Sequence, residues 1–116
     1  MKHIVVDLEM NPISKEHREV RRKLNGEIIE IGAVRLNENF EQEDEFQCYV
    51  CPEYGMVKKH ITELTGITQE RVAGHPAFSE SFHSFVTWIG EAETKIYSWS
   101  MSDIKQLRKE CRLKLP

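Results

Sequence analysis

The sequence predicts a mixed α/β domain, in which an opening pair of strands is followed by helix, strand and helix, with the helices packed on the sheet. Three observations predict it. Period-two alternation of apolar and other residues runs through 3–9 and 27–36, as in strands with one buried face. An apolar stripe of helical period joins Phe78, Phe82, Phe85, Val86 and Ile89. A short apolar strand at 95–99 is followed at once by a helical pattern from Asp103 to about Leu113. A length of 116 residues, 40% hydrophobic and 30% charged, suits one small domain with one core.

The first strand organises the rest. Ile4, Val6 and Leu8 share one face, while Val5, Asp7 and Glu9 share the other. Asp7 and Glu9 are then about 7 Å apart along the strand and aimed alike. Like charges so placed call for a neutralising cation, and Mg²⁺ is suited to one or two carboxylates plus phosphate oxygens. Asp-x-Glu alone also fits an acid pair pointing into solvent at a strand end. Met10-Asn11-Pro12 reads as the turn that ends this strand. Residues 14–24 fit either a short exposed helix capped by Ser14 or a mobile loop, because the apolar stripe is thin. Asn25-Gly26 is a turn.

In the second strand, 27–36, Ile29, Ile31 and Ala33 are expected on one face, and Ile28, Glu30, Gly32 and Val34 on the other. Glu30 reads as a hydrogen-bonded structural carboxylate rather than a metal ligand. Gly32 would admit close approach of another element. A turn at 37–39 leads to a third strand, 46–50, antiparallel to the second and ended by Pro52. Residues 56–74 read as two short helices, with Gly66 as a left-handed cap and Thr68 capping the second. The helix at 79–89 has Ser79 as its expected N-cap and Gly90 at its end; its stripe is core, and His83 faces away. In the last helix Ser102 is the expected N-cap, and Ile104, Leu107 and Cys111 share one side. Asp103 in its first turn complements the helix dipole; it also stands where a strand hands over to a helix, a position for a third metal carboxylate.

Composition excludes several classes. A net charge of −3 argues against a general polyanion binder. The bases are nevertheless sorted into 15–23 and 105–114, and each run alone reads as a solvated face. No apolar run is long enough to cross a bilayer, and the N-terminus lacks a signal-peptide plan, so a cytoplasmic location with no membrane partner is expected. Cys48-x-x-Cys51 has no second ligand pair for zinc, and on a strand the two thiols point apart. With Cys111 they read as free thiols.

Taken together, Ile4-Val5-Val6-Asp7-Leu8-Glu9-Met10, Glu27-Ile28-Ile29-Glu30-Ile31-Gly32-Ala33-Val34, Leu64-Thr65-Gly66-Ile67-Thr68, the helix with Phe82, Phe85 and Trp88, and Tyr97-Ser98-Trp99-Ser100-Met101-Ser102-Asp103 resemble the DEDD superfamily of 3′→5′ exonucleases. This superfamily includes the proofreading epsilon subunit of DNA polymerase III and RNase T. The resemblance is nearest to the RNA-trimming branch related to ERI-type exoribonucleases. It implies a ribonuclease-H-like fold: a mixed sheet with antiparallel opening strands and helices on its faces. It implies that Asp7, Glu9 and Asp103 are catalytic carboxylates that hold Mg²⁺ or Mn²⁺, two ions in the complete site. It implies that Leu64, Thr65, Gly66 and Ile67 receive the terminal base, and that the Met10 backbone lies near the terminal sugar. Single-stranded RNA or DNA 3′ ends would be the partners, held by stacking and backbone contacts, with the basic runs as phosphate-tracking surfaces.

The sequence departs from this pattern at one point. The family's third motif, a His or Tyr a few residues before a final Asp, has no match, and no His follows Asp103. Residues 1–116 are therefore expected to form a single exonuclease-like domain that is C-terminally incomplete. The general base, the fourth carboxylate and the final strands would be missing, and the open sheet edge would favour self-association. The expected function is metal-dependent 3′→5′ exonuclease action on single-stranded nucleic acid, RNA before DNA. The alternative is a non-catalytic nucleic-acid-binding module or inactive fragment.

Overall fold

The computed structural model describes residues 1–115. In chain order the elements are β1 (Lys2–Pro12), α1 (Arg18–Lys23), β2 (Gly26–Leu36), β3 (Gln42–Tyr49), α2 (Lys59–Thr65), α3 (Gln69–Ala73), α4 (Phe78–Ile89), β4 (Thr94–Ser98) and α5 (Met101–Lys114). Four strands form one sheet in the order β3-β2-β1-β4. β1 and β2 pair antiparallel, as do β2 and β3, while β4 runs parallel to β1. This is the mixed sheet with antiparallel opening strands that the sequence predicts.

The main core lies on the face of β1 that carries Ile4, Val6 and Leu8. These pack with Ile28, Ile31 and Ala33 of β2 and with Phe78 and Phe85 of α4; Leu107 and Cys111 of α5 close over them. Apolar side chains so gathered leave water at roughly 1.5–3 kcal/mol each. The helical stripe of α4 is therefore core as expected, except that Val86 is 45% exposed. α4 starts at Phe78 with Ala77 at its cap, so Ser79 sits inside the first turn. The hydroxyl of Ser81, one turn on, donates to the Pro76 carbonyl instead.

Three expectations about β1 and β2 are corrected. β1 does not turn at Met10-Asn11-Pro12; it continues to Pro12, paired with Gly26. A Cβ at Gly26 would stand 3.2 Å from the Asn11 carbonyl oxygen, so a bare backbone is what lets the strands close there. The pairing also slips. Glu9 faces Glu30 and Met10 faces Ile28, leaving Ile29 as an extra residue, a β-bulge. Ile28 therefore joins Ile31 and Ala33 in the main core, while Ile29 enters a second cluster with Ile61, Ile67 and Val72. The faces expected from strict alternation are thus exchanged at the bulge. Gly32 admits no other element: a Cβ there would meet only the Asp7 carbonyl, at 3.5 Å.

Smaller corrections follow from capping and strand length. α1 is a helix, but its cap is His17, and the Ser14 hydroxyl donates to Glu16. β3 begins at Gln42, earlier than expected, because acidic Glu43 and Asp44 are held by Lys2 and Arg35. α5 begins at Met101 with Ser100, not Ser102, at its cap. The two short helices are as expected, with Gly66 at φ 81° and the Thr68 side chain accepting from the Arg71 amide. All three cysteines are free and half-buried; burial pushes the thiols of Cys48 and Cys111 up, which leaves them unreactive.

A buried ionic group ties α5 to β2. Lys114 Nζ donates to Glu27 at 2.8 Å and to Glu110 at 2.9 Å. Glu27 also accepts from the amides of Glu53 and Tyr54, and Glu110 from the amide of Ile28 and from Gln106. Lys114 was expected on an exposed basic run; its side chain is 4% exposed. Burial opposes its charge, but Glu110 and Glu27 hold the ammonium above the ordinary lysine range. Burial pushes the Glu110 carboxyl up against the pull of Lys114.

Candidate active site

Asp7 and Glu9 lie on the face of β1 that points away from the main core. Asp7 is exposed and Glu9 half-buried. Opposite Asp7 stands Gly32, so no cross-strand side chain crowds that carboxylate. Opposite Glu9 stands Glu30, which accepts from Gln47 Nε2 at 2.8 Å. Glu30 is thus hydrogen-bonded, as read from the sequence, but it also places a third acid on this face.

The fourth arrives from the other side. β4 ends at Ser98, beside Val6, so β1 extends past it with an unpaired edge. The first turn of α5 fills that position. Asp103, 8% exposed, takes a backbone hydrogen bond from Leu8. A strand that stops short and a helix that begins at once therefore set Asp103 beside Asp7 and Glu9.

The electrostatics report this closeness. The Glu9 carboxyl is pushed up by burial, and then by Asp7, Glu30 and Asp103. The Asp103 carboxyl is pushed up by burial and by Asp7, while the Leu8 hydrogen bond pulls it down. Acids that raise one another's affinity for a proton equally favour a cation among them. As hard oxygen donors they fit Mg²⁺ or Mn²⁺. Among the described residues no group of three His, Cys, Asp or Glu side chains is close enough together to form a metal-ligand set.

The segment expected to receive a terminal base lies between α2 and α3. Leu64 is 80% exposed. The Thr65 hydroxyl donates to the Ile61 carbonyl and accepts from the Ile67 amide. Gly66 supplies the left-handed turn, and Ile67 is buried in the second cluster. Leu64 is therefore the member of this set that offers apolar side-chain surface, and Ile67 holds the turn from beneath. Met10 packs its side chain against the main core at the bulge.

Sequence reading missed Asn11, which joins these parts. It is fully buried; its Oδ1 accepts from the Lys58 amide at 2.8 Å, and its Nδ2 donates to the Met56 carbonyl at 3.0 Å. The start of α2 is thereby fixed to β1 two residues past Glu9. Asn11 follows Asp7 and Glu9 at period two, which was the available signal, and reading it as turn chemistry concealed it.

The sheet is thus mixed, with acids midway along the inner strand β1 and one at the head of α5, the helix that follows edge strand β4, an arrangement of the nuclease class. The model of the RNase T exonuclease family matches residues 4–115, and the chain belongs to that family. It is 39% identical over 98 residues to 3′-5′ exoribonuclease 1 of Mus musculus, covering 75% of this chain and 28% of that protein. It is 37% identical over 90 residues to the PolC-type DNA polymerase III of Clostridium perfringens, covering 78% of this chain and 6% of that protein. The chain thus spans under a third of the length of these curated relatives. Among solved structures, the nuclease domain of 3′hExo, a DEDDh family member bound to rAMP, superposes with a TM-score of 0.79 at 28% identity, covering 97% of this chain and 58% of that one. A 3′-exonuclease in recognition of a histone mRNA stem-loop gives 0.77 at 26% identity, covering 97% of this chain and 52% of that one. No helix among the described residues is long and apolar enough to cross a membrane.

Proposed function

We propose that this chain is a metal-dependent 3′→5′ exonuclease unit that removes nucleotides from single-stranded nucleic acid, RNA in preference to DNA. The observation that carries the reading is the gathering of Asp103 with Asp7 and Glu9 midway along β1, just past the end of β4, where burial and like charge raise the carboxyls of Glu9 and Asp103. Asp7, Glu9 and Asp103 would hold Mg²⁺ or Mn²⁺, two ions in the complete site, which when bound clamp the attacking and leaving oxygens of a phosphodiester. Leu64 presents apolar surface for the terminal base, and the Thr65-Gly66-Ile67 turn keeps it there. The Met10 backbone lies along the terminal sugar. Asn11 holds the nucleotide segment at a fixed distance from the acids. The exoribonuclease relative and the neighbour bound to rAMP support RNA; the polymerase relative keeps DNA in the test.

Residues 1–116 act in this reading as a single exonuclease-like unit. Free cysteines support a reducing, cytoplasmic setting. The outer edge of β4 pairs with no strand among the described residues, and a second copy could add there.

The test is cleavage of 5′-labelled single-stranded RNA and DNA of equal sequence in Mn²⁺, with Asp7→Ala as control. A ladder of shortened RNA products, absent in the variant, is the expected result. Metal-independent binding without cleavage under any condition would overturn it in favour of a non-catalytic binding module.

A further inference from the structure

We propose that the two basic runs, 82 or more residues apart in sequence, form one composite track for the phosphates of a single strand whose 3′ end lies at the acids. The proposal rests on the nuclease reading above and adds where the body of the substrate runs. Lys15, Arg18, Arg21 and Arg22 line a cleft of about 470 Å³ on and before α1. Lys23, at the end of the same helix, lines a second cleft of about 490 Å³ with Lys109 and Arg112 of α5. Lys23 therefore splices the α1 run onto α5.

A basic face runs along the outer side of α5. Lys105, Lys109 and Arg112 fall at i, i+4 and i+7, on one face of α5. The opposite side carries buried Asp103 and Glu110. Nine residues separate Asp103 from Arg112, about 13 Å of helix axis. At about 3.4 Å per stacked nucleotide the axial distance alone is on the order of four phosphates, and the path round the helix to the basic face adds to it. The α1 cleft would take those beyond.

Charge and lining choose the partner. A chain of net charge −3 places seven of its 16 Lys and Arg residues around these two clefts. No acid lines either cleft. Among the described residues only Arg22 of the seven is in an ion pair, an exposed one with Glu19 at 3.4 Å. Leu113 is the sole apolar lining residue, whereas an acidic protein partner would need an apolar centre. A repeating phosphate backbone needs none.

The experiment is equilibrium binding of a fluorescent 20-nucleotide single strand to the full chain in EDTA, titrated with KCl. Two variants are compared, Arg18→Ala/Arg21→Ala/Arg22→Ala and Lys109→Ala/Arg112→Ala, with Lys95→Ala on β4 as control. Each cleft variant is expected to bind about tenfold more weakly at 50 mM salt, and to lose about 0.7 from the log–log salt slope per contacting base removed. The control should match the parent. Unchanged affinity and slope in both variants, or no binding by the parent chain, would overturn the track. Because no cleavage is read, a chain that fails to cut yet shows the slope change refutes the nuclease reading alone. Cleavage with unchanged slopes refutes the track alone. Circular dichroism of these exposed-site variants should match the parent, and a variant that has lost its fold is replaced by the charge-neutral Gln substitution.

Discussion

Lys114 and Glu27, 87 residues apart in sequence, meet at 2.8 Å inside the protein with side chains 4% and 0% exposed. The pair holds the end of α5 against the start of β2, and with it the helix whose first turn bears Asp103. Lys114→Met would leave Glu27 and Glu110 as buried charges without a counter-ion, at a cost of roughly 3–5 kcal/mol. Urea denaturation at pH 7 reads this as a lowered midpoint. The sign with pH is set by the carboxyls. Burial already raises Glu110, so the variant binds protons more tightly folded than unfolded, and its deficit should shrink as pH falls from 7 towards the raised value.

Asn11→Ala should separate the two halves of the candidate site. It removes the acceptor of the buried Lys58 amide, which costs about 1–3 kcal/mol when left unsatisfied. In cleavage assays the expected change is a severalfold rise in KM with a smaller change in kcat, because the acids stay on β1.

Asp103→Asn should stabilise the metal-free chain at neutral pH. Burial and Asp7 raise the Asp103 carboxyl, so folding is favoured below the ordinary carboxylate value and is penalised as pH rises through the raised one. Thermal unfolding in EDTA should show a higher midpoint for the variant at pH 7 and a vanishing difference near pH 4. Added Mn²⁺ should raise the midpoint of the parent chain and not that of the variant.

Gly66→Ala meets no steric obstacle, since nothing lies within 4 Å of the added carbon. Its whole cost is the left-handed backbone at φ 81°, about 1–2 kcal/mol. A loss of that size, measured by denaturation, with weaker oligonucleotide binding, is expected.

The elements and their order were legible because periodicity records which side of a strand or helix faces the core. The alternation in β1 and the stripe of α4 needed no tertiary information. The bulge was not legible, since Glu-Ile-Ile-Glu-Ile reads equally well with either isoleucine inside. Asp7 and Glu9 could be singled out as two acids sharing one face of the first strand, and Asp103 by its place where a strand hands over to a helix. Asn11, Glu110 and Lys114 could not, because a polar residue declares its burial only when its partner is known, and the partners of Glu110 and Lys114 lie some 80 residues away at Glu27 and Ile28. Lys114 was read with its charged neighbours for the same reason.

The extra residue of β2 has an effect on motion. Ile28 and Ile29, adjacent in sequence, belong to different apolar clusters, so α2 and α3 rest on a small core of their own, tied to β1 through buried Asn11. Amide exchange in such a unit is governed by a few side chains, not by the sheet. The amides of α2 and α3 should therefore exchange sooner than those of β1, with the ties of Asn11 to Lys58 and Met56 the last to break.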